Sequence, residues 1–261
     1  MIQSFETIQL EIDEHGVAKL VLNRPEKSNA LNATMIHELT EAALRLANDA
    51  SVRVVVLSAR GTNFSAGGDL AWMREQLTAD RATRISQASK FSTMLQLFDN
   101  LPKLTIAAVE GPAFGGGVGL ISTCDIVLAT PLASFTLSEN RLGIIPATIA
   151  PFVISRIGVA NMRRFALNAN PIIVGEALSI GLVSEVHNPQ LLDEAVEQQI
   201  KLALACAPGA VADAKKLFSK IASGSARLGE TVEALAGRWE SAEGLQGIEA
   251  FFEKRKPPWA K

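Results

Sequence analysis

The 261-residue chain has no tyrosine, two cysteines and three histidines, and its 25 Lys and Arg nearly balance 27 Asp and Glu. Each shortage removes a class of chemistry. Without Tyr, the hydroxyl dehydrogenases that rely on a Tyr acid are excluded, although an α/β chain of this length would otherwise suggest them. Cys124 and Cys206 cannot build a Cys-rich zinc site or a disulfide framework, and they suit a reducing compartment. His15, His37 and His187 are scattered, which argues against a His-based metal site and leaves no Ser-His-Asp set to assemble. A net charge of −2 provides no electrostatic footprint for nucleic acid. Residues 1–6 lack the basic and apolar pattern of a secretory signal, and the longest apolar stretches, such as 104–109, are far below the ~18 residues of a membrane span. The expectation is a cytoplasmic protein that uses no metal. If it is an enzyme, its chemistry comes from carboxylates and backbone amides.

What is present is pattern. Residues 7–13 alternate Ile8, Leu10 and Ile12 with polar neighbours, the period of a half-buried strand, and His15-Gly16 turns the chain into a second strand over 17–22. Asn32 is placed to N-cap a helix to about residue 47, with Ile36, Leu39, Ala43 and Leu46 at helical spacing. The apolar runs 52–57 and 104–109 read as strands covered on both faces. Residues 70–100 read as mostly helical, and 125–129 and 135–137 as short strands. Beyond Pro151 strand signals nearly vanish, and 161–167, 175–180, 193–205, 209–221 and 228–243 read as helices. A strand-rich front and a helical back predict an α/β core over residues 1–195 and a helical region over 196–261.

Three segments could carry chemistry. Phe64-Ser65-Ala66-Gly67-Gly68-Asp69-Leu70 follows a strand, and its Gly pair lets a ligand approach backbone amides closely. An ordinary turn capped by Asp69 would look the same. The run 111–119, with Gly115-Gly116-Gly117 and Gly119, opens a helix whose first amides favour an anion. It lacks the Lys-Ser/Thr of a Walker A loop and the first βαβ context of a dinucleotide fingerprint, and could equally serve close helix packing. In the third segment Glu139 sits among apolar residues, followed by Ile144-Ile145-Pro146, where desolvation would raise its pKa and make it a useful acid/base. The competing reading is a solvated Glu139 paired with Arg141. Cys124 reads as a small core residue, and 251–256 as a basic-aromatic helix end.

Taken together, in this order and spacing, the segments closely resemble the crotonase (enoyl-CoA hydratase/isomerase) family. The resemblance covers essentially the whole chain: Leu22-Asn23-Arg24-Pro25 with Asn29-Ala30-Leu31-Asn32, then the run 64–69, Gly115-Gly116-Gly117 with Cys124-Asp125, Glu243-Gly244, and residues 251–257. It implies a spiral of ββα units with a C-terminal helical trimerisation region, and a homotrimer or hexamer. It also implies stabilisation of a CoA-thioester enolate by two backbone N–H groups, which fall by motif on Gly68 and Gly116. CoA would be part of the substrate rather than a cofactor. The resemblance places the pantetheine and nucleotide near Lys27, Ala30, Ala66 and Leu70, with Asp69 fixing the loop. Phe251 and Lys254 would lie near the CoA phosphates, in one reading those of a neighbouring subunit.

One departure stands out. Classical hydratases of this family carry two Glu, and the position of the first is here Gly119, which leaves Glu139 alone. A single carboxylate is also the pattern of Δ3,Δ2-enoyl-CoA isomerases, and its extreme reading is a CoA-thioester binding protein without turnover. The runs 64–73, 114–120, 137–139 and 241–259 further resemble a bacterial branch of 3-methylglutaconyl-CoA and γ-carboxygeranoyl-CoA hydratases, of leucine and acyclic terpene breakdown, whose members carry Gly at that position too. On this resemblance the expected activity is reversible hydration of the C2=C3 bond of a branched, 3-methylglutaconyl-type 2-enoyl-CoA. Gly119 would give room to substrate or water, Arg141 or Arg74 would meet a distal carboxylate, and residues 74–97 would form the acyl wall.

Overall fold

The computed structural model describes residues 2–260. The chain opens with an antiparallel ribbon of β1 (Ile2–Ser4), β2 (Ile8–Ile12) and β3 (Val17–Leu22), turned at Gly16 with φ 82°. Helix α1 (Ala33–Asn48) then crosses to β4 (Val54–Ala59), which lies parallel to β3. Helices α2 (Leu70–Thr78) and α3 (Arg81–Asp99) lead to β5 (Leu104–Val109), parallel to β4. After β6 (Ala113–Phe114) and α4 (Gly116–Ser122), β7 (Ile126–Ala129) pairs parallel with β5. Then come β8 (Ser134–Thr136), α5 (Ala150–Ala166), β9 (Ile172–Ile173), α6 (Val174–Ser179) and β10 (Glu185–Val186), which closes the seven-stranded sheet β1-β2-β3-β4-β5-β7-β10. A second sheet, β6-β8-β9, has three short strands. The end of the chain is α7 (Leu192–Leu204), α8 (Pro208–Ala222), α9 (Leu228–Glu240) and α10 (Ala242–Phe252). The mixed α/β spiral and the helical C-terminal region are those expected.

The period-2 alternation of β4 explains why its sequence looks uniformly apolar. Val55 and Leu57 pack on one face of the sheet with residues of α1, α3, α4 and α5, while Val54 and Val56 pack on the other with Leu192, Val196 and Ile200 of α7. The expected boundary between residues 195 and 196 therefore falls inside α7, a helix that buries its apolar stripe on the sheet.

Helix limits follow local capping. Asn32 caps α1, its side chain accepting from the Met35 N–H. The predicted helix 70–100 is two helices, because the Asp80 side chain accepts from the Thr83 N–H and starts α3 afresh. The predicted helix 228–243 is likewise divided at Ser241, which caps α10 through the Gly244 N–H. The helix read over 161–167 begins earlier, at Ala150, and is interrupted at Gly158, where φ is 76°. Among the described residues no helix is long and apolar enough to cross a membrane.

Candidate active site

Parallel pairing of β3, β4 and β5 brings the loops at their carboxyl ends side by side, the usual place for a site in such sheets. The loop after β3 carries Lys27 to Leu31, that after β4 carries Ala66 to Asp69, and that after β5 carries the glycine run. They are stitched by backbone: the Leu31 N–H donates to the Gly67 carbonyl and the Asp69 N–H to the Leu31 carbonyl, a one-residue parallel bridge between Leu31 and Gly68. In such a bridge the flanking peptide groups make the bonds, so the Gly68 N–H points away from Leu31. The Phe114 N–H donates to the Ser65 carbonyl and the Gly115 N–H to the Thr136 carbonyl, which leaves Gly116 as the first residue of α4. Neither the Gly68 nor the Gly116 N–H donates to an acceptor among the described residues. Both residues line one cavity of about 310 Å³.

Glu139 lines the same cavity from the start of a short 3₁₀ turn, Glu139–Leu142. Its Oε2 is buried without a hydrogen-bond partner, and burial pushes the carboxyl above its ordinary range, only partly offset by its own backbone N–H. Arg141 does not neutralise it: that guanidinium donates to the Ala169 carbonyl at 2.7 Å. The expectation of a desolvated carboxylate holds, and the alternative pairing with Arg141 does not. Gly115 makes the approach possible. Its φ of 45° and ψ of −112° suit glycine, and a Cβ there would lie 2.9 Å from Glu139 Oε1.

Asp69 supports the loop. Its side chain accepts from the Ala71 and Trp72 N–H groups at the start of α2, and from the Arg24 guanidinium at 2.6 Å. The Arg24 bond holds its carboxyl below the usual range, with the two backbone bonds adding to the effect against burial. Arg24 also donates to the Ala30 carbonyl, so one buried pair ties the first loop to the second.

Of the residues named from sequence, Gly68, Gly116, Glu139, Ala66 and Leu70 share the cavity. Lys27, Ala30, Asp69, Phe251 and Lys254 do not line it. Lys27 is exposed at the end of a 3₁₀ turn, Ala30 is buried, and Phe251 is 78% exposed at the end of α10. Gly119 requires a correction. It is buried inside α4 and gives no room to substrate or water, because Ile149 fills the space: a Cβ on residue 119 would meet Ile149 Cγ2 at 2.3 Å. Arg141 and Arg74 are corrected too, since neither reaches the cavity wall. Nor is the cavity wall made by residues 74–97, the expected acyl wall, alone. Phe91 of α3 contributes, but Trp72, Met73 and the segment from Leu142 to Ile149 make most of it.

Trp72 and Ile149 are the residues the sequence reading passed over. The Trp72 indole N–H is buried without a partner, and its place next to Met73 after the Gly-Gly-Asp cap was the available signal. Cys124 is the inert core residue expected, its thiol pushed up to about 12 chiefly by burial. A cleft of about 430 Å³ at the opposite ends of β3 and β4 holds none of the predicted site residues.

Residues 13–261 match the enoyl-CoA hydratase/isomerase family model. A crystal structure of an enoyl-CoA hydratase from Shewanella pealeana superposes with a TM-score of 0.94 at 36% identity, covering 98% of this chain and 97% of that one. Pseudomonas aeruginosa AtuE gives 0.93 at 38% identity, covering 98% and 100%. The enoyl-CoA hydratase ACTT6 of Alternaria alternata is 34% identical over 210 residues, 80% of this chain and 68% of its own. Free amides at Gly68 and Gly116, the carboxylate beside them and these likenesses converge: the chain belongs to the enoyl-CoA hydratase/isomerase family.

Proposed function

We propose that the chain adds water reversibly across the C2=C3 bond of a 2-enoyl-CoA thioester. The observation that carries this reading is the sharing of one cavity by two undonated backbone N–H groups and one desolvated carboxylate with a free oxygen. The thioester oxygen would sit between the Gly68 and Gly116 N–H groups. As water adds at C3, negative charge moves onto that oxygen, where fixed amide dipoles stabilise it without reorganisation. Each such donor is typically worth about 3 kcal/mol. Glu139 takes one proton from the attacking water and returns it at C2, so the hydroxyl, with the water's other hydrogen, ends on C3 and the added hydrogen on C2. A raised carboxyl pKa suits both halves of that transfer.

A second reading, migration of the double bond from C3 to C2, is favoured by a specific observation. Ile149 occludes the position of a second carboxylate, leaving Glu139 as the one carboxylate in the wall among the described residues. Binding without turnover has less support, because an unpartnered buried carboxylate oxygen costs stability and contributes nothing to holding an anionic ligand. Exposed apolar side chains on the C-terminal helices, among them Leu228, Leu235 and Trp239, support self-association, as does Phe251 for a CoA end reached from a neighbouring copy.

The deciding experiment supplies a 2-enoyl-CoA in H₂¹⁸O and follows the product by mass spectrometry. The expected product is a 3-hydroxyacyl-CoA carrying one ¹⁸O. An unlabelled 2-enoyl product from a 3-enoyl-CoA, with no hydration, would establish the isomerase instead. Recovery of both substrates unchanged contradicts both.

A further inference from the structure

We infer that the acyl site accepts an uncharged aliphatic chain and discriminates against one ending in a carboxylate, with the segment from Leu142 to Ile149 as the selectivity wall. The inference rests on reading the cavity as the thioester site, and it departs from the glutaconyl-type substrate that the motifs imply. Leu142, Ile145, Pro146 and Ile149 come from one segment, and Trp72 and Phe91 face the same space from α2 and α3. No Lys, Arg or His lines the cavity among the described residues, and Glu139 is its one charged side chain.

Two effects then act in the same direction. A distal carboxylate entering this space loses water and finds no cation to replace it, which disfavours the ion strongly. It also brings a second negative charge towards Glu139, whose carboxyl burial already holds above its ordinary range. An alkyl terminus meets neither penalty and covers aliphatic surface. Arg141 is committed to the Ala169 carbonyl, and Arg74 is exposed on α2 away from the lining. Ile145, 73% exposed at the rim, is where a cation could be added, because a Lys there keeps its head in water while its stem lies on apolar surface.

The test compares two unreactive esters of equal length, hexanoyl-CoA and adipoyl-CoA, by isothermal titration into the purified full-length protein. Hexanoyl-CoA is expected to bind about tenfold or more tightly than adipoyl-CoA, a difference of roughly 1.4 kcal/mol. Ile145→Lys is expected to shift that ratio towards adipoyl-CoA by about tenfold, whereas Ile145→Gln leaves it as in the wild type. Equal binding, or a preference for adipoyl-CoA, overturns the inference. An unchanged ratio in Ile145→Lys overturns the assignment of the wall. The matching enoyl esters keep the two readings apart: selective binding with no hydration of either removes the hydratase and leaves the selectivity standing.

Discussion

The two sides of the cavity are built on opposite principles. On one side, the peptide groups of Gly68 and Gly116 and the Glu139 carboxylate present polar atoms with no partner among the described residues. On the other, residues 142–149 and the helix faces of α2 and α3 present aliphatic and aromatic surface. The polar side is fixed by backbone hydrogen bonds between loops at the ends of three adjacent parallel strands. The apolar side is set by which side chain fills which space, and Ile149 shows how strictly: it takes the volume that a side chain at position 119 would need. Polarity here is a matter of chain path, and substrate fit a matter of side-chain volume.

Gly115→Ala attacks the polar side hardest. The added Cβ meets an unfavourable backbone conformation and lies 2.9 Å from Glu139 Oε1, so either loop or carboxylate must move. A fall in kcat/KM of about 100-fold or more is expected, since small misplacements of reacting groups cost that much; steady-state kinetics checks it. Activity within threefold of wild type would mean that the carboxylate does not depend on this glycine.

Gly119→Glu tests the apolar side. It forces a carboxylate and extra volume against the buried Ile149, and a loss of about 2–4 kcal/mol is expected in urea unfolding. Gly119→Glu combined with Ile149→Ala is expected to be at least about 1 kcal/mol more stable than the sum of the single changes, because they relieve the same overlap. Strict additivity would show that the two positions do not compete.

Asp69→Ala removes an N-cap and the partner of a largely buried guanidinium, and is expected to cost about 1–3 kcal/mol. Asp69→Asn, which can still cap α2, is expected to lose less, by the same unfolding measurement.

The smallest effect concerns pH. Burial raises the folded Glu139 carboxyl above its ordinary 4.5, so the folded protein binds that proton more tightly than the unfolded chain. Stability from this group is therefore lost as pH rises from about 4.5 through the raised folded value. Glu139→Gln is expected to melt about 2 °C higher than wild type at pH 7–8, with the gain vanishing near pH 4. A constant difference across that range would remove the titration from the account.

Much of the polar side was legible in the sequence. The Gly-Gly-Asp cap, the glycine run opening a helix and a Glu among apolar neighbours each have a local chemical reason, and their order along the chain identified the scaffold. The β4 strand could be read because both its faces are covered. Ile149 as the occupant of the space beside Gly119 could not, because that contact joins α4 to the start of α5 and depends on packing alone. The same holds for Arg141, whose neighbour in sequence, Glu139, suggested a pair that the turn geometry sends elsewhere. The divisions at Asp80 and Ser241 were readable as caps, but the apolar spacing on either side outweighed them.

The central claim is that Glu139 and the two amides form one catalytic unit. It is tested most directly by hydration kinetics of a 2-enoyl-CoA with wild type and Glu139→Gln, with circular dichroism confirming the fold. The expected result is a kcat lower by about 10²–10⁴-fold with KM little changed, because the amides still hold the thioester. Undiminished kcat in the variant would contradict the account.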